Sequence, residues 1–211
     1  EARRTEQRDA FLRDEVLHVQ HVLQRRASRP WPSAKGAQRT KVSAASSHAA
    51  VQGPRLAADP AMAAMWAARV ASESYQRMLP GREDLPIFRA RSEILKNVHT
   101  SQVVVLSGET GCGKSTQLPA YLMEDALARG EPCKIYVTEP RRISAISLAE
   151  RVSQEMGEAP KSVGTGDSLV GYAIRLESQV GPHARLVYAT TGIVLRMLES
   201  SALDEITHII I

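Results

Sequence analysis

Gly108-Glu-Thr-Gly-Cys-Gly-Lys-Ser115 is the stretch that decides the fold. It satisfies G-x-x-x-x-G-K-[S/T] at every fixed position. Val103-Val-Val-Leu-Ser107 comes immediately before it. That short β-branched run, closed by a glycine, reads as a buried parallel strand. Residues 114–128 read as a helix. Strand, glycine loop and helix in this order are the context in which the pattern has its physical meaning. Gly108, Gly111 and Gly113 admit backbone angles that side chains forbid. The successive N–H groups of the loop, those of Glu109, Thr110 and Cys112 included, can then converge on one concavity and hold phosphate oxygens. The helix that follows adds the positive end of its dipole. Lys114 is a mobile point charge for the outer phosphates, and Ser115 offers a hydroxyl to Mg²⁺. Thr116 is placed for the innermost phosphate. Cys112 fills the loop, and Cys133 reads as a small apolar residue.

Working outward, strands and helices alternate. Residues 87–98 read as a helix with Ile87, Ile94 and Val98 turned inward. Residues 134–138 read as a strand, 142–156 as a helix, and 168–178 as a β-hairpin. Residues 185–190 follow as a strand, 191–200 as a helix and 206–211 as a last strand. This alternation predicts an α/β fold, a parallel sheet with helices on both faces. In open sheets of this kind ligands gather at the carboxyl ends of the strands. Arg141 and Arg142 fall at such an end, where planar guanidinium forks suit phosphate groups. Thr190, Thr191 and Gly192 fall at another, with short hydroxyls suited to a sugar-phosphate backbone. A salt-bridged or solvated arginine pair and a simple helix cap are the plain alternatives at these positions. Arg175 is either structural or part of the same surface.

The N-terminal part has a different texture. Leu12, Val16, Val19 and Leu23 form one apolar stripe, so residues 2–26 read as an amphipathic helix within a segment 1–27. Arg29-Pro-Trp-Pro32 stops it. Residues 28–58 are rich in Ser, Ala, Gly and basic residues, and no acidic residue occurs between Glu15 and Asp59. That composition predicts a disordered basic linker. Asp59-Pro60 restarts a helix, with a capping side chain and then proline at the first helical position. Met62, Trp66 and Val70 fall on one of its faces, and Pro80-Gly81 is the expected end of this lead-in over 59–84.

Composition narrows the function classes. The 211 residues are 43% hydrophobic but only 4% aromatic, so the core must be built from Val, Ile, Leu and Ala. The net charge of +4 mildly favours an acidic partner such as nucleic acid. Two cysteines do not make a disulfide scaffold for a chain of this length. No apolar run reaches the ~18 residues of a membrane span, so no membrane partner is expected. The chain opens at Glu1, has no methionine before Met62, and stops inside Thr207-His-Ile-Ile-Ile211, so it reads as a fragment.

The glycine loop alone leaves the kind of nucleotide enzyme open. Four further stretches narrow it. Thr138-Glu-Pro-Arg-Arg142 is similar to T-Q-P-R-R, and Ser147-Leu-Ala-Glu-Arg-Val152 follows it. Val170-Gly-Tyr-Ala-Ile-Arg-Leu-Glu177 resembles V-G-Y-x-I-R-F-E, and Thr190-Thr-Gly-Ile-Val-Leu-Arg196 resembles T-T-G-x-L-L-R. With the loop extended as Gly-Glu-Thr-Gly-Cys-Gly-Lys-Ser-Thr-Gln117, residues 85–211 resemble the DEAH/RHA family of RNA helicases. Ser74-Tyr-Gln-Arg-Met-Leu79 is similar to the lead-in of its large multidomain members. Glu139 stands where the family has Gln, and Leu176 where it commonly has Phe.

The resemblance implies an incomplete RecA-like domain over 85–211 that binds ATP or another NTP with Mg²⁺. It implies that Arg151 stacks on the base, opposite an aromatic ring of a second RecA-like domain. It implies that Arg141, Arg142, Arg175, Thr190, Thr191 and Gly192 hold the backbone of single-stranded RNA. The family's Asp-Glu-x-His box would begin where this chain stops, so the fragment alone is expected to be inactive, and the setting is cytoplasmic or nuclear. A small-molecule kinase and a non-catalytic ATP- or RNA-binding scaffold are the rival readings.

Overall fold

A computed structural model of the chain describes residues 59–198 and 205–211. The helix and linker expected over 1–58 lie outside the described residues, as does the end of the helix expected over 191–200.

Helix α1 (Pro60–Val70) begins as the sequence requires: Asp59 accepts a hydrogen bond from the Ala61 N–H, and Pro60 stands in the first turn. Trp66 is buried, and Met62 and Val70 pack beside it. The lead-in then breaks earlier than expected. Ser72 caps a second helix, α2 (Glu73–Glu83), which runs straight through Pro80 and Gly81. Buried Arg82 anchors the last turn of α2, and this outweighs the local cost of proline and glycine. The segment predicted as a helix over 87–98 is a 3₁₀ turn (Pro86–Ala90) followed by α3 (Arg91–Thr100). Ile87 and Ile94 are buried as expected, and Val98 packs against the core.

After the glycine loop come α4 (Lys114–Ala128), β1 (Ile135–Glu139), α5 (Arg142–Glu155), β2 (Val170–Ile174), β3 (Glu177–Gln179), β4 (Leu186–Thr190), α6 (Thr191–Leu198) and β5 (His208–Ile210). The sheet order is β3-β2-β4-β1-β5. All pairs are parallel except the β2–β3 hairpin. Ile135 aligns with Leu186 and Leu186 with Val170, so alternate residues of three strands point the same way. On that face Val170, Tyr172, Leu186 and Tyr188 pack beneath Trp66 of α1, Leu127 of α4 and Val152 of α5. On the other, Val187, Ala189 and Ala173 pack under Val194 of α6. Both faces thus carry helices, as the alternation of elements requires.

One expected strand is missing from the sheet. Residues 103–107 carry no regular structure and pair with no strand among the described residues. Val103 is 80% exposed and Val105 55% exposed, and only Leu106 packs inward, against the cluster of Ile87, Ile94 and Tyr121. A β-branched run becomes a strand only when a neighbour supplies the ladder, and none of the described strands lies beside this one.

The two lead-in helices share the core of the sheet. A Cβ on Gly157, at φ +71°, would lie 2.6 Å from the Tyr75 backbone nitrogen, so only glycine lets α2 approach the end of α5 this closely. Glu158 fastens the same corner. Its carboxylate accepts from Arg69, Ser153, Ser168 and the Leu169 N–H.

Candidate functional site

The glycine loop curls around its own lysine. Gly111 and Gly113 have φ of +83° and +102°, both in the left-handed region. A Cβ on Gly113 would also come within 3.0 to 3.2 Å of Ile87, Leu85 and Gln117. Gly108 needs space rather than a special angle, because a Cβ there would lie 3.1 Å from Cys112 Sγ. Lys114 Nζ donates to the Gly108 and Glu109 carbonyls at 2.6 and 2.8 Å and lies 3.7 Å from Cys112 Sγ. The side chain is thereby held over the concavity. Ser115 is exposed at the first turn of α4, where unpaired helix N–H groups and the helix dipole favour an anion.

Two contacts hold the loop in place. The Ile87 N–H donates to the Cys112 carbonyl, which backs the loop with the 3₁₀ turn. From β4, the fully buried Tyr188 hydroxyl donates to the Ser115 carbonyl at 2.8 Å. Burial pushes the Tyr188 hydroxyl well above its usual pKa, so it remains a donor. No sequence pattern pointed to Tyr188; its strand position marked it only as core.

Arg151 lies on α5 and is tied to the loop by a relay. Its Nε donates to Glu155 Oε1 at 2.7 Å. Glu155 Oε2 accepts from Gln117 Nε2, also at 2.7 Å, and Gln117 Nε2 reaches Thr116 Oγ1 at 3.1 Å. The Arg151 side chain is 56% exposed, so most of its guanidinium faces solvent.

A second concavity, of about 370 Å³, is lined by Arg142, Arg175, Thr190, Gly192, Ile193 and Arg196. It gathers the carboxyl ends of three parallel strands. Arg142 lies just beyond β1, Arg175 immediately follows β2, and Thr190 is the last residue of β4. Three arginine side chains line this one hollow. The structure therefore brings together four of the six residues read as RNA-facing. Arg141 is exposed at the cap position of α5 and Thr191 is exposed at the start of α6, both outside the lining. Arg196 was missed as a site residue. Its signal was its position one helical turn beyond Gly192.

No protein-family model matches the chain. The chain is 49% identical over 144 residues to an ATP-dependent RNA helicase dhx29 of Xenopus laevis, covering 66% of this chain and 10% of that protein. It is 46% identical over 144 residues to the DExH-box ATP-dependent RNA helicase DExH1 of Arabidopsis thaliana, covering 67% and 14%. It is 48% identical over 145 residues to the putative ATP-dependent RNA helicase DHX57 of Homo sapiens, covering 67% and 10%. The chain belongs to the DExH/DEAH-box helicase family. It spans about a tenth of the length of the curated relatives it matches.

Against the family pattern, the two departures sit beside the second concavity. Leu176 forms the tip of the β2–β3 hairpin next to Arg175, with φ +70° and 95% of its surface exposed. Glu139 pairs in register with Thr190. Burial raises its carboxyl above the usual carboxylate range. A raised carboxyl favours the fold while protonated, and that contribution is lost as pH rises through the folded value. Above that value Glu139 is a partly desolvated negative charge beside the arginine hollow. Glu139→Gln is expected to strengthen RNA binding about twofold to threefold near pH 7.5. It should also flatten any gain in affinity of the parent chain as pH falls through the raised Glu139 value. Fluorescence anisotropy with a labelled single-stranded RNA checks both. Equal affinities and parallel pH profiles would remove the charge effect.

Among the described residues no helix is long and apolar enough to cross a membrane.

Proposed function

We propose that this chain forms the nucleotide-binding and RNA-backbone-binding part of a first RecA-like domain in an ATP-driven RNA helicase. Strand β4 carries the single observation behind this reading. Tyr188 fastens the phosphate-loop helix through the Ser115 carbonyl, and Thr190, two residues further on, lines the arginine hollow. One strand end thus reports on two sites, which is what an enzyme coupling nucleotide state to RNA grip requires.

The assigned roles follow from the chemistry of each group. The loop 108–113 cradles the phosphates of ATP or another NTP, with Lys114 on the outer ones and Thr116 on the inner. Its open glycine backbone and inward-held ammonium fit a polyphosphate. Ser115 supplies a hydroxyl ligand to Mg²⁺, which when bound would neutralise phosphate charge. Arg151 stacks on the base, and a guanidinium plane reads flatness more than base identity. Arg142, Arg175 and Arg196 hold RNA phosphates, and Thr190, Thr191, Gly192 and Arg141 extend the track. These contacts position a strand without reading its sequence. Hydrolysis uses a second RecA-like domain, residues 59–84 act as the lead-in to the domain over 85–211, and the protein works in the cytoplasm or nucleus.

The test is phosphate release by the complete polypeptide with and without single-stranded RNA, alongside binding of fluorescent mant-ATP and labelled RNA by the 211-residue chain. Binding of both ligands by the chain and RNA-stimulated turnover by the whole protein are expected. Turnover indifferent to RNA, or transfer of phosphate to a small molecule, would overturn the helicase reading.

A further inference from the structure

The phosphate loop and Arg151 are joined by a buried polar chain that begins outside them, on the lead-in helix α2. Arg82 is 3% exposed, an unusual place for a guanidinium unless it is fully engaged. Its Nε donates to Gln117 Oε1 at 2.9 Å. Its terminal nitrogens reach Glu124 Oε1 at 2.5 Å and the Tyr75 hydroxyl at 3.2 Å. Tyr75 in turn donates to Glu124 at 3.0 Å. Arg91, from α3, supplies a second and longer contact to the other oxygen of Glu124, at 3.3 Å. Arg82 Nε also stands 4.0 Å from Glu155 Oε2. Two carboxylates, Glu124 and Glu155, are thus almost wholly buried, and among the described residues Arg82 is the guanidinium within 4.0 Å of both.

The polarity of the chain matters more than its charge. Gln117 has no exposed surface, and its amide can lie in either of two orientations. Arg82 can only donate, so it fixes the oxygen of Gln117 on its own side. The amide nitrogen must then face Glu155 and Thr116, as it does. Glu155 accepts that bond on one oxygen and holds Arg151 with the other. Glu155 can only accept, so it also keeps the amide nitrogen on its own side, and what Arg82 adds is the planar fork that fixes the Gln117 oxygen and stands beside Glu155. Without that fork the amide and the carboxylate can shift together, and the carboxylate no longer holds Arg151 at one angle.

We propose that Arg82 is a positioning residue for nucleotide binding: from the lead-in helix it orients Gln117, and through Gln117 and Glu155 it sets the angle at which Arg151 meets the base. The proposal rests on the reading of the loop and Arg151 as the nucleotide site. It gives the lead-in helices a part in nucleotide recognition although they contribute no group to the pocket. It also predicts that Arg82 matters for ligands with a base and far less for the phosphates alone.

The experiment measures mant-ATP binding, and competition by inorganic triphosphate, in the 211-residue chain and four variants. Arg82→Lys keeps a cation near the two carboxylates but loses the planar fork, so it preserves the fold better than removal of the charge would. It is expected to weaken mant-ATP binding about tenfold. Its affinity for triphosphate should stay within about twofold of the parent. Arg151→Ala should weaken mant-ATP similarly, and the double variant Arg82→Lys/Arg151→Ala should be no worse than Arg151→Ala alone. A structural role would move both ligands together or give additive losses, and either outcome overturns the proposal. If Arg82→Lys fails to fold, Gln117→Leu with Arg151→Ala provides the same cycle one link further along. Lys114→Ala separates the two levels of inference. If the parent chain binds neither ligand, or Lys114→Ala binds both as well as the parent, the nucleotide site itself is wrong and the proposal falls with it. If Lys114→Ala loses both ligands while Arg82→Lys matches the parent, only the proposal falls.

Discussion

Lys114→Ala is expected to weaken ATP binding by roughly a hundredfold or more and to abolish phosphate release by the complete protein. The estimate rests on charge-assisted hydrogen bonds, which contribute about 1.5–3 kcal/mol each, and on two such bonds from one ammonium to the outer phosphates. The ammonium now donates to the Gly108 and Glu109 carbonyls, so the same motion that meets a phosphate releases two loop carbonyls. Alanine removes the donor from both sides of that exchange. The fold should survive, because the rest of α4 is held by Tyr188, Gln117 and the apolar residues around Leu127. Titration with mant-ATP and a phosphate-release assay read the two effects, with circular dichroism as the fold control. A folded variant that binds and hydrolyses ATP like the parent would remove the phosphate-loop assignment.

The loop could be read from the sequence because its requirements are local. Glycine at 111 and 113 is demanded by the backbone angles of those residues, and the lysine and serine by their distance along one helical turn. The parallel strands β1, β2 and β4 were readable for a related reason. Buried on both faces, they are continuous apolar runs that surface segments do not show. Residues 103–107 present the same local signal and yet do not join the sheet. Their composition states what a strand would bury, while the ladder depends on which segment lies alongside, and that is a long-range fact.

What the sequence hid was polar and buried. Arg82, Gln117, Glu124 and Glu155 look like surface residues of amphipathic helices, since charge ordinarily marks the solvated face. Their burial depends on four elements meeting, α2, α3, α4 and α5, and no single stretch contains that information. Pro80 misled in the same way. It predicted the end of a helix, and a tertiary anchor two residues later carried the helix past it. Arg196 and Tyr188 lay inside recognised elements, but their roles come from the hollow and the loop those elements meet.

The arginine hollow yields the second large effect. Arg142 and Arg196 approach it from the first residue of α5 and from the last turn of α6, and both are exposed enough to reach a ligand. Removing both in Arg142→Ala/Arg196→Ala deletes two phosphate contacts if the hollow is the RNA track. Affinity for single-stranded RNA should fall about thirtyfold to 150-fold, at roughly 1–1.5 kcal/mol per contact. The loss should be nearly the same for oligo-uridine and for mixed sequences, because backbone contacts carry no base information. Salt makes the sharper test. Each phosphate contact on a single strand contributes about 0.7 to the slope of log affinity against log salt, so the double variant should flatten that slope by about 1.4. Arg77→Ala is the control: Arg77 is exposed on α2, pairs with Glu73 within its own helix, and should change neither affinity nor slope. Anisotropy titrations over a range of salt concentrations measure both quantities. A double variant that keeps the parent slope, or that loses affinity for one sequence only, would place the RNA phosphates elsewhere and remove the arginine hollow from the RNA track.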